Sequence, residues 1–91
     1  MLMTTARPRL NRKVRLRLDR RTGRYMLLYP ERGLELNETA LEIACLCTGE
    51  WTVDDIAQHL ARAFHDASLL EIKRDTRHFL DILAGRGLLQ G

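Results

Sequence analysis

The spacing of hydrophobic residues along the chain changes near residue 37. Before this point apolar residues alternate with polar ones, which is typical of strands, and after it they recur at the spacing of helices. Apolar and polar residues alternate strictly over Val14–Asp19. An aromatic and aliphatic run covers Arg24–Tyr29, and a short alternating segment covers Gly33 to Leu36. These segments predict three strands, of which the third lies at an edge of the sheet.

Three helices are predicted to follow the strands. Asn37 is placed to cap a first helix from Glu38 to about Cys47, and Thr52 begins a second helix with a regular apolar stripe. A third helix runs from about Leu69 to Arg86. Strands followed by helices predict a winged-helix-like α+β domain. In it, three helices pack on one face of a three-stranded antiparallel sheet.

Length and composition bound the domain organisation. With 91 residues and an apolar fraction of 45%, the chain makes one small globular domain. We expect a flexible basic arm over residues 1–12, where Pro8 and several arginines give no period, and a single domain over residues 13–91. The sequence has no apolar run long enough to cross a membrane and no signal-peptide core, so the expected location is the cytoplasm.

Charge is distributed unevenly along the chain. Residues 1–24 contain nine basic residues and one acidic residue, a net charge of +8, whereas residues 25–91 carry −5. A basic N-terminal segment on an otherwise acidic chain can bind an acidic partner or nucleic acid. Alternatively, it can be a solvent-exposed strand face. A winged-helix nucleic-acid-binding protein is therefore the alternative function. A DNA-binding protein of that kind places a basic helix in the major groove. In the last helix of this chain, however, acidic residues alternate with the basic ones.

The sequence offers few groups for catalysis or metal binding. Ser68 is the only serine, there is no glycine-rich phosphate loop, and the three histidines lack the spacing of metal ligands. Cys45 and Cys47 stand two residues apart on a predicted helix and point to different faces, which argues against a disulfide between them. We predict two buried or half-buried apolar thiols, no bound metal or cofactor, and no enzyme activity.

An exposed edge strand suits a binding function better. Such an edge can accept an extended peptide by strand addition, in which main-chain hydrogen bonds give affinity and side-chain pockets give selectivity. The third strand and the last helix would then form the two walls of a groove. Two alternatives stay open at this point: the edge is short and covered, or it pairs with a second copy of the chain to form a homodimer.

Several segments occur in an order and at spacings that resemble a known family. They are Arg7-Pro8-Arg9, Leu28-Tyr29-Pro30-Glu31-Arg32-Gly33-Leu34-Glu35-Leu36-Asn37-Glu38-Thr39-Ala40, Leu46-Cys47-Thr48-Gly49, Thr52-Val53-Asp54-Asp55-Ile56-Ala57 and Gly87-Leu88-Leu89. Together they resemble the PqqD family, which serves biosynthesis of the redox cofactor pyrroloquinoline quinone, over nearly the whole chain. Thr48 departs from the family, which usually has aspartate there, but it touches the end of the first helix and not the groove.

The resemblance implies a function. Members of this family are small winged-helix-like peptide chaperones without catalytic activity of their own. They are similar to the leader-peptide recognition elements of ribosomally made, modified peptides. The implied ligand is the precursor peptide PqqA, and the implied partner is PqqE, a radical S-adenosylmethionine enzyme to which the complex is presented. That enzyme links a glutamate to a tyrosine in the peptide, and the iron–sulfur clusters belong to the enzyme.

The resemblance also implies a binding surface in two parts. The third strand would pair with the peptide backbone, and the last helix would form the other wall and meet acidic residues of the peptide. The predicted peptide-binding residues are Gly33, Leu34, Glu35 and Leu36 on the strand and Lys73, Arg74, Arg77 and Asp81 on the helix. Phe79 and Leu80 are expected in the core. The surface that contacts the enzyme is not assigned, and the basic arm is one candidate for it.

Overall fold

The computed structural model describes residues 3–30, 32–64 and 66–90. The elements are β1 (Arg15–Asp19), β2 (Arg24–Tyr29), β3 (Arg32–Leu36), α1 (Glu38–Leu46), α2 (Val53–Ala63) and α3 (Leu69–Gly85). The strands form one antiparallel sheet in the order β1-β2-β3. The predicted α+β architecture and the edge position of the third strand are therefore confirmed. Glu31 in the predicted turn before β3 and His65 in the predicted break after α2 lie outside the described residues.

The register of the sheet decides which side chains enter the core. Leu16 pairs with Leu27 and Leu27 pairs with Leu34, so these three side chains share the inner face of the sheet. On that face Leu27 is fully buried and Leu36 is 4% exposed, whereas Leu16 and Leu18 are 39% and 45% exposed. The core therefore lies under β2 and β3, and the inner face of β1 is only partly covered.

The starts of the helices are fixed by capping side chains. Asn37 Oδ1 accepts a hydrogen bond from the Ala40 N–H at 2.8 Å. Before α2, the Asp55 N–H donates to Thr52 Oγ1 at 3.0 Å and the Thr52 N–H donates to Asp55 Oδ2 at 3.2 Å, which completes a capping box. Ser68 caps α3 in the same manner as Asn37 caps α1. Each predicted helix therefore starts within a residue of its expected position.

Three helices close the core over the sheet. α2 packs on α3 and on α1, and α1 packs on β3. The buried apolar cluster consists of Leu27, Leu36, Ala40, Ile43, Ala44, Cys47, Val53, Ile56, Leu60, Ile72, Leu80, Leu83 and Leu88. Every helix, the strands β2 and β3 and the segment after α3 contribute to this cluster, so the described chain shares one core.

The segment before β1 is hydrogen-bonded to the rest of the domain. The Gly49 N–H donates to the Pro8 carbonyl at 3.0 Å, and the Leu10 N–H donates to the Cys47 carbonyl at 3.1 Å. On the other side the Gln90 N–H donates to the carbonyl of residue 9 at 2.8 Å. The described part of the predicted arm therefore lies between the α1–α2 connection and the C-terminal segment. The domain boundary after residue 12 and the mobility of the arm stay predictions.

We expect the substitution Thr76→Val to stabilise the domain. Thr76 is completely buried on α3, and within the described residues its hydroxyl has no hydrogen-bond partner. Valine has nearly the same shape and removes the cost of burying an unpaired hydroxyl, so the free energy of unfolding should rise by about 1 kcal/mol. Urea-induced unfolding of the two proteins, followed by circular dichroism, measures this difference.

Thr76→Ser is the matched control for this prediction. Serine keeps the hydroxyl but loses the buried methyl group, so it should lower the free energy of unfolding by about 1 kcal/mol. A valine variant less stable than the wild type would show that the hydroxyl makes a hydrogen bond in solution.

Candidate functional site

One edge of β3 is free within the described part of the chain. β3 pairs with β2 on its other side. The Leu27 carbonyl oxygen lies 4.0 Å from the position that a Cβ atom would take at Gly33, so this carbonyl points toward β3. The alternation of an antiparallel ladder then directs the N–H and C=O groups of Gly33 and Glu35 to the free edge. The edge therefore offers main-chain donors and acceptors at two positions that face outward.

The side chains of β3 leave this edge accessible. Leu36 is buried and Leu34 is half-buried, so both hold the strand on the core. A Cβ atom at Gly33 would lie 3.0 Å from the Met26 Cε atom, so glycine leaves room there for a neighbouring side chain. Glu35 is exposed and its carboxylate pairs with the guanidinium of Arg24 at 3.2 Å. The strand is thus anchored by its inner side chains while its outer backbone groups stay open.

A groove begins where β3 ends. It has a volume of about 270 Å³ and lies between the start of α1 and the middle of α3. It is lined by Asn37, Thr39, Ala40, Ile43, Asp75, His78, Phe79 and Ile82. We call it the α1–α3 groove. Because Asn37 directly follows Leu36, the free strand edge and the groove adjoin one another in the chain.

The α3 residues of the groove form one stripe of the helix. Asp75, His78, Phe79 and Ile82 recur at the three-to-four-residue spacing that places side chains on one helical face. Sequence reasoning missed this stripe because it borders the core stripe. Phe79 was expected in the core, and it is half-buried, packs against the core and also lines the groove. In the sequence, the site could have been recognised from an apolar stripe on α3 that is wider than burial in the core requires.

The four α3 residues predicted from the sequence lie on other sides of the helix. Lys73 Nζ lies 3.4 Å from Asp54 Oδ1, so this lysine faces α2. At roughly 100° per residue, Arg77 lies on the side of α3 opposite Asp75. Arg74 is exposed and Asp81 is half-buried, and both lie between these two sides. The structure brings none of these four side chains into the α1–α3 groove, and their role in peptide contact stays a prediction.

The two thiols differ in exposure. Cys47 is buried, as predicted, whereas Cys45 is exposed, so the prediction of a buried or half-buried side chain is wrong there. Burial, and secondly the neighbouring Cys45, raises the pKa of Cys47 to about 12. Burial, and secondly the charge of Glu42, also raises the pKa of Cys45. Neither thiol is activated as a nucleophile, since that would require a lowered pKa.

Two further features are absent from the described residues. Within residues 3–30, 32–64 and 66–90, no group of three or more His, Cys, Asp and Glu side chains could hold a metal ion. The same residues include no helix with the length and apolar character needed to cross a membrane. The free strand edge and the α1–α3 groove are the candidate functional site.

Cys47 should make stability fall at alkaline pH. Its folded-state pKa is raised from 9.0 to about 12, so the folded chain holds this proton more tightly than the unfolded chain does. The stabilising contribution is complete below pH 9 and is lost as the pH rises toward 12. The slope is at most about 1.4 kcal/mol per pH unit. Urea unfolding of the reduced protein at several alkaline pH values measures it.

The Cys47→Ala variant separates this effect from the titration of other groups. Its stability should depend less on pH than that of the wild type above pH 9. Parallel curves for the two proteins would contradict the assignment of the pH dependence to Cys47.

Comparison with known proteins finds relatives that serve synthesis of the cofactor PQQ. A family model described as coenzyme PQQ synthesis protein D (PqqD) matches residues 24–89. A protein of Rhodopseudomonas palustris named PqqA binding protein is 42% identical over 85 residues, which are 93% of this chain and 82% of that protein.

Two solved structures share the fold. The solution structure of the PqqD part of Methylobacterium extorquens PqqCD superposes with a TM-score of 0.76 at 38% identity, over 92% of this chain and 88% of that one. It is described as a functional and stand-alone recognition element for ribosomally synthesised and post-translationally modified peptides. TbiB1, solved in complex with the TbiA(beta) leader peptide, has a TM-score of 0.76 at 20% identity, over 91% and 95% of the chains. The likeness to TbiB1 concerns the fold alone.

Proposed function

The chain belongs to the PqqD family, and from this membership we propose that it is a non-catalytic chaperone that binds the precursor peptide PqqA. The observation that carries the proposal is the free edge of β3, which is followed in the chain by Asn37, a lining residue of the α1–α3 groove. The relative of Rhodopseudomonas palustris is named for PqqA binding, and the related PqqD of Methylobacterium extorquens is described as a recognition element for such peptides.

The peptide would bind as a fourth strand of the sheet. The outward N–H and C=O groups of Gly33 and Glu35 would exchange hydrogen bonds with its backbone, since this is the mode in which an edge strand takes up an extended segment. Main-chain bonds do not depend on the peptide's side chains, so they supply affinity and fix the direction of the peptide. The inner side chains Leu34 and Leu36 keep β3 in place on the core during binding.

The α1–α3 groove would supply selectivity. Phe79 and Ile82 give the groove an apolar wall. Asp75 and His78 give it polar groups that can form hydrogen bonds with a peptide side chain. A peptide strand that continues beyond Leu36 would pass into this groove because Asn37 is its first lining residue. Sequence preference would thus arise next to the main-chain bonds.

The charged residues of α3 would meet parts of the peptide outside the groove. Arg74 and Asp81 lie roughly 40–60° from His78 around the helix, on its solvent side. Lys73 and Arg77 lie on the side toward α2 and would contact only a segment that passes over the helix. We assign these four residues to the rim of the site, where acidic residues of the peptide would pair with the basic ones.

The family's role extends the proposal to a partner enzyme. The bound peptide would be presented in the cytoplasm to the radical S-adenosylmethionine enzyme PqqE, which would carry out the chemistry. A strand-bound peptide is held extended, so residues beyond the end of the paired segment that lies away from the groove stay accessible to an enzyme.

We expect the substitution Glu35→Pro to weaken binding of synthetic PqqA peptide. Proline removes the outward N–H of residue 35 without removing a bond to β2. One main-chain hydrogen bond contributes roughly 1 kcal/mol, so the dissociation constant should rise by at least about fivefold. Calorimetric titration of the two proteins with the same peptide measures this change.

Leu18→Pro is the matched control. By the same alternation Leu18 directs its N–H to the free edge of β1, so proline there tests the other edge of the sheet and should leave the affinity unchanged. Glu35→Ala tests the carboxylate separately. An unchanged affinity in a folded Glu35→Pro protein would contradict strand addition on β3.

A further inference from the structure

A second cavity adjoins the α1–α3 groove. Its volume is about 430 Å³. It is lined by Thr39, Leu60, Ala63, Phe64, Asp66, Ala67, Ile72 and Asp75. We call it the α2-end cavity because the last turn of α2 forms much of its wall. Thr39 and Asp75 line both spaces, so the groove and the α2-end cavity meet at these two residues.

The α1–α3 groove and the α2-end cavity together follow a short length of α3. Along α3 the lining residues run from Ile82 in the groove to Ile72 in the cavity. A helix rises ~1.5 Å per residue, so this path is about 15 Å long. An extended peptide covers ~3.3 Å per residue, so about four to five peptide residues span this length of α3.

The α2-end cavity has an apolar floor. Leu60 is fully buried, Ile72 is 7% exposed and Phe64 is half-buried, and all three line the cavity. Its volume falls within the range of about 300–1,000 Å³ that is usual for ligand pockets. The space is therefore large enough for one large aliphatic or aromatic side chain.

The α2-end cavity also has an acidic rim. Asp66 and Asp75 are both exposed and line it, and within the described residues neither forms an ion pair. The lining residues of the described chain include no basic side chain. The two carboxylates are thus available to a cation that sits beside an apolar group in the cavity.

We propose that the α2-end cavity binds one large apolar side chain of the bound peptide, next to a lysine or arginine of that peptide. This inference rests on the proposed function, because it takes the ligand to be an extended peptide on β3. It adds the chemical class of a specificity position beyond the strand-paired segment. The apolar floor recognises the large side chain, and Asp66 and Asp75 recognise the cation beside it.

Filling the cavity tests the proposal. Ala63→Trp places a bulky side chain in it, and Ala67→Trp does the same from the loop before α3, in case the first variant is unstable. Either variant should weaken the binding of synthetic PqqA peptide by about tenfold or more, the effect of no longer burying a large apolar side chain. Ala84→Trp is the matched control, since Ala84 is an exposed alanine of α3 outside both spaces, and it should leave the affinity unchanged.

A set of peptides identifies the side chain that enters the cavity. Each large apolar residue of the PqqA peptide is replaced in turn by alanine. One replacement should weaken binding to the wild type and have little further effect on Ala63→Trp, because both changes remove the same contact. Additive losses at every position of the peptide would overturn the proposal.

Charge variants test the acidic rim. Asp66→Asn and Asp75→Asn should each weaken binding by about two- to fivefold at low ionic strength, and the loss should shrink as salt is added. Glu50→Gln is the control for net charge, since Glu50 is an exposed acid outside both spaces. Equal losses in all three variants would show a general attraction and not recognition at the cavity.

Amide NMR separates failure of this inference from failure of the proposed function. If the labelled wild type shows no shifts at residues 33–36 on adding peptide, the proposed function fails. If those amides shift while residues 63 and 67 do not, and Ala63→Trp binds like the wild type, strand addition stands and the cavity proposal is overturned. Shifts at both places, lost at the cavity in Ala63→Trp, support the proposal.

Discussion

The direct passage from β3 into α1 is the constraint on which the rest of the site depends. Asn37 is the only residue between the two elements, and its side chain accepts a hydrogen bond from the Ala40 N–H at 2.8 Å. Leu36 on one side of this junction and Ala40 on the other are both buried. With both anchored, α1 must begin directly after β3, and Asn37 between them lines the groove between α1 and α3.

The helices cover the sheet unequally, and this makes its two edges different. Under β3 the inner side chains are packed into the core, whereas Leu16 and Leu18 of β1 remain substantially exposed. A strand whose inner side chains are fixed keeps its outer backbone groups at defined positions. Such an edge can accept another strand without a large loss of conformational entropy, because its own backbone is already ordered. β3 therefore suits strand addition better than β1 does.

The element order and helix starts follow closely from local sequence. Alternation in β1 and the caps Asn37 and Thr52 predict elements that the structure confirms, because each depends on residues within one turn or one strand. The arrangement of the segment before β1 was not predictable in this way. Its bonds to residues 47, 49 and 90 use backbone groups, which every sequence carries and no side-chain pattern reveals.

The sequence by itself determined the fold class, the edge position of β3 and, through the ordered motifs, the family. The tertiary structure alone decided which side of α3 faces the groove. Charge on α3 pointed to Lys73 and Arg77, but packing turns Lys73 toward α2 and directs Asp75 and Phe79 into the groove. The physical reason is that a helix fixes the angles between its own side chains, whereas its rotation about its axis is set by which stripe the other elements bury.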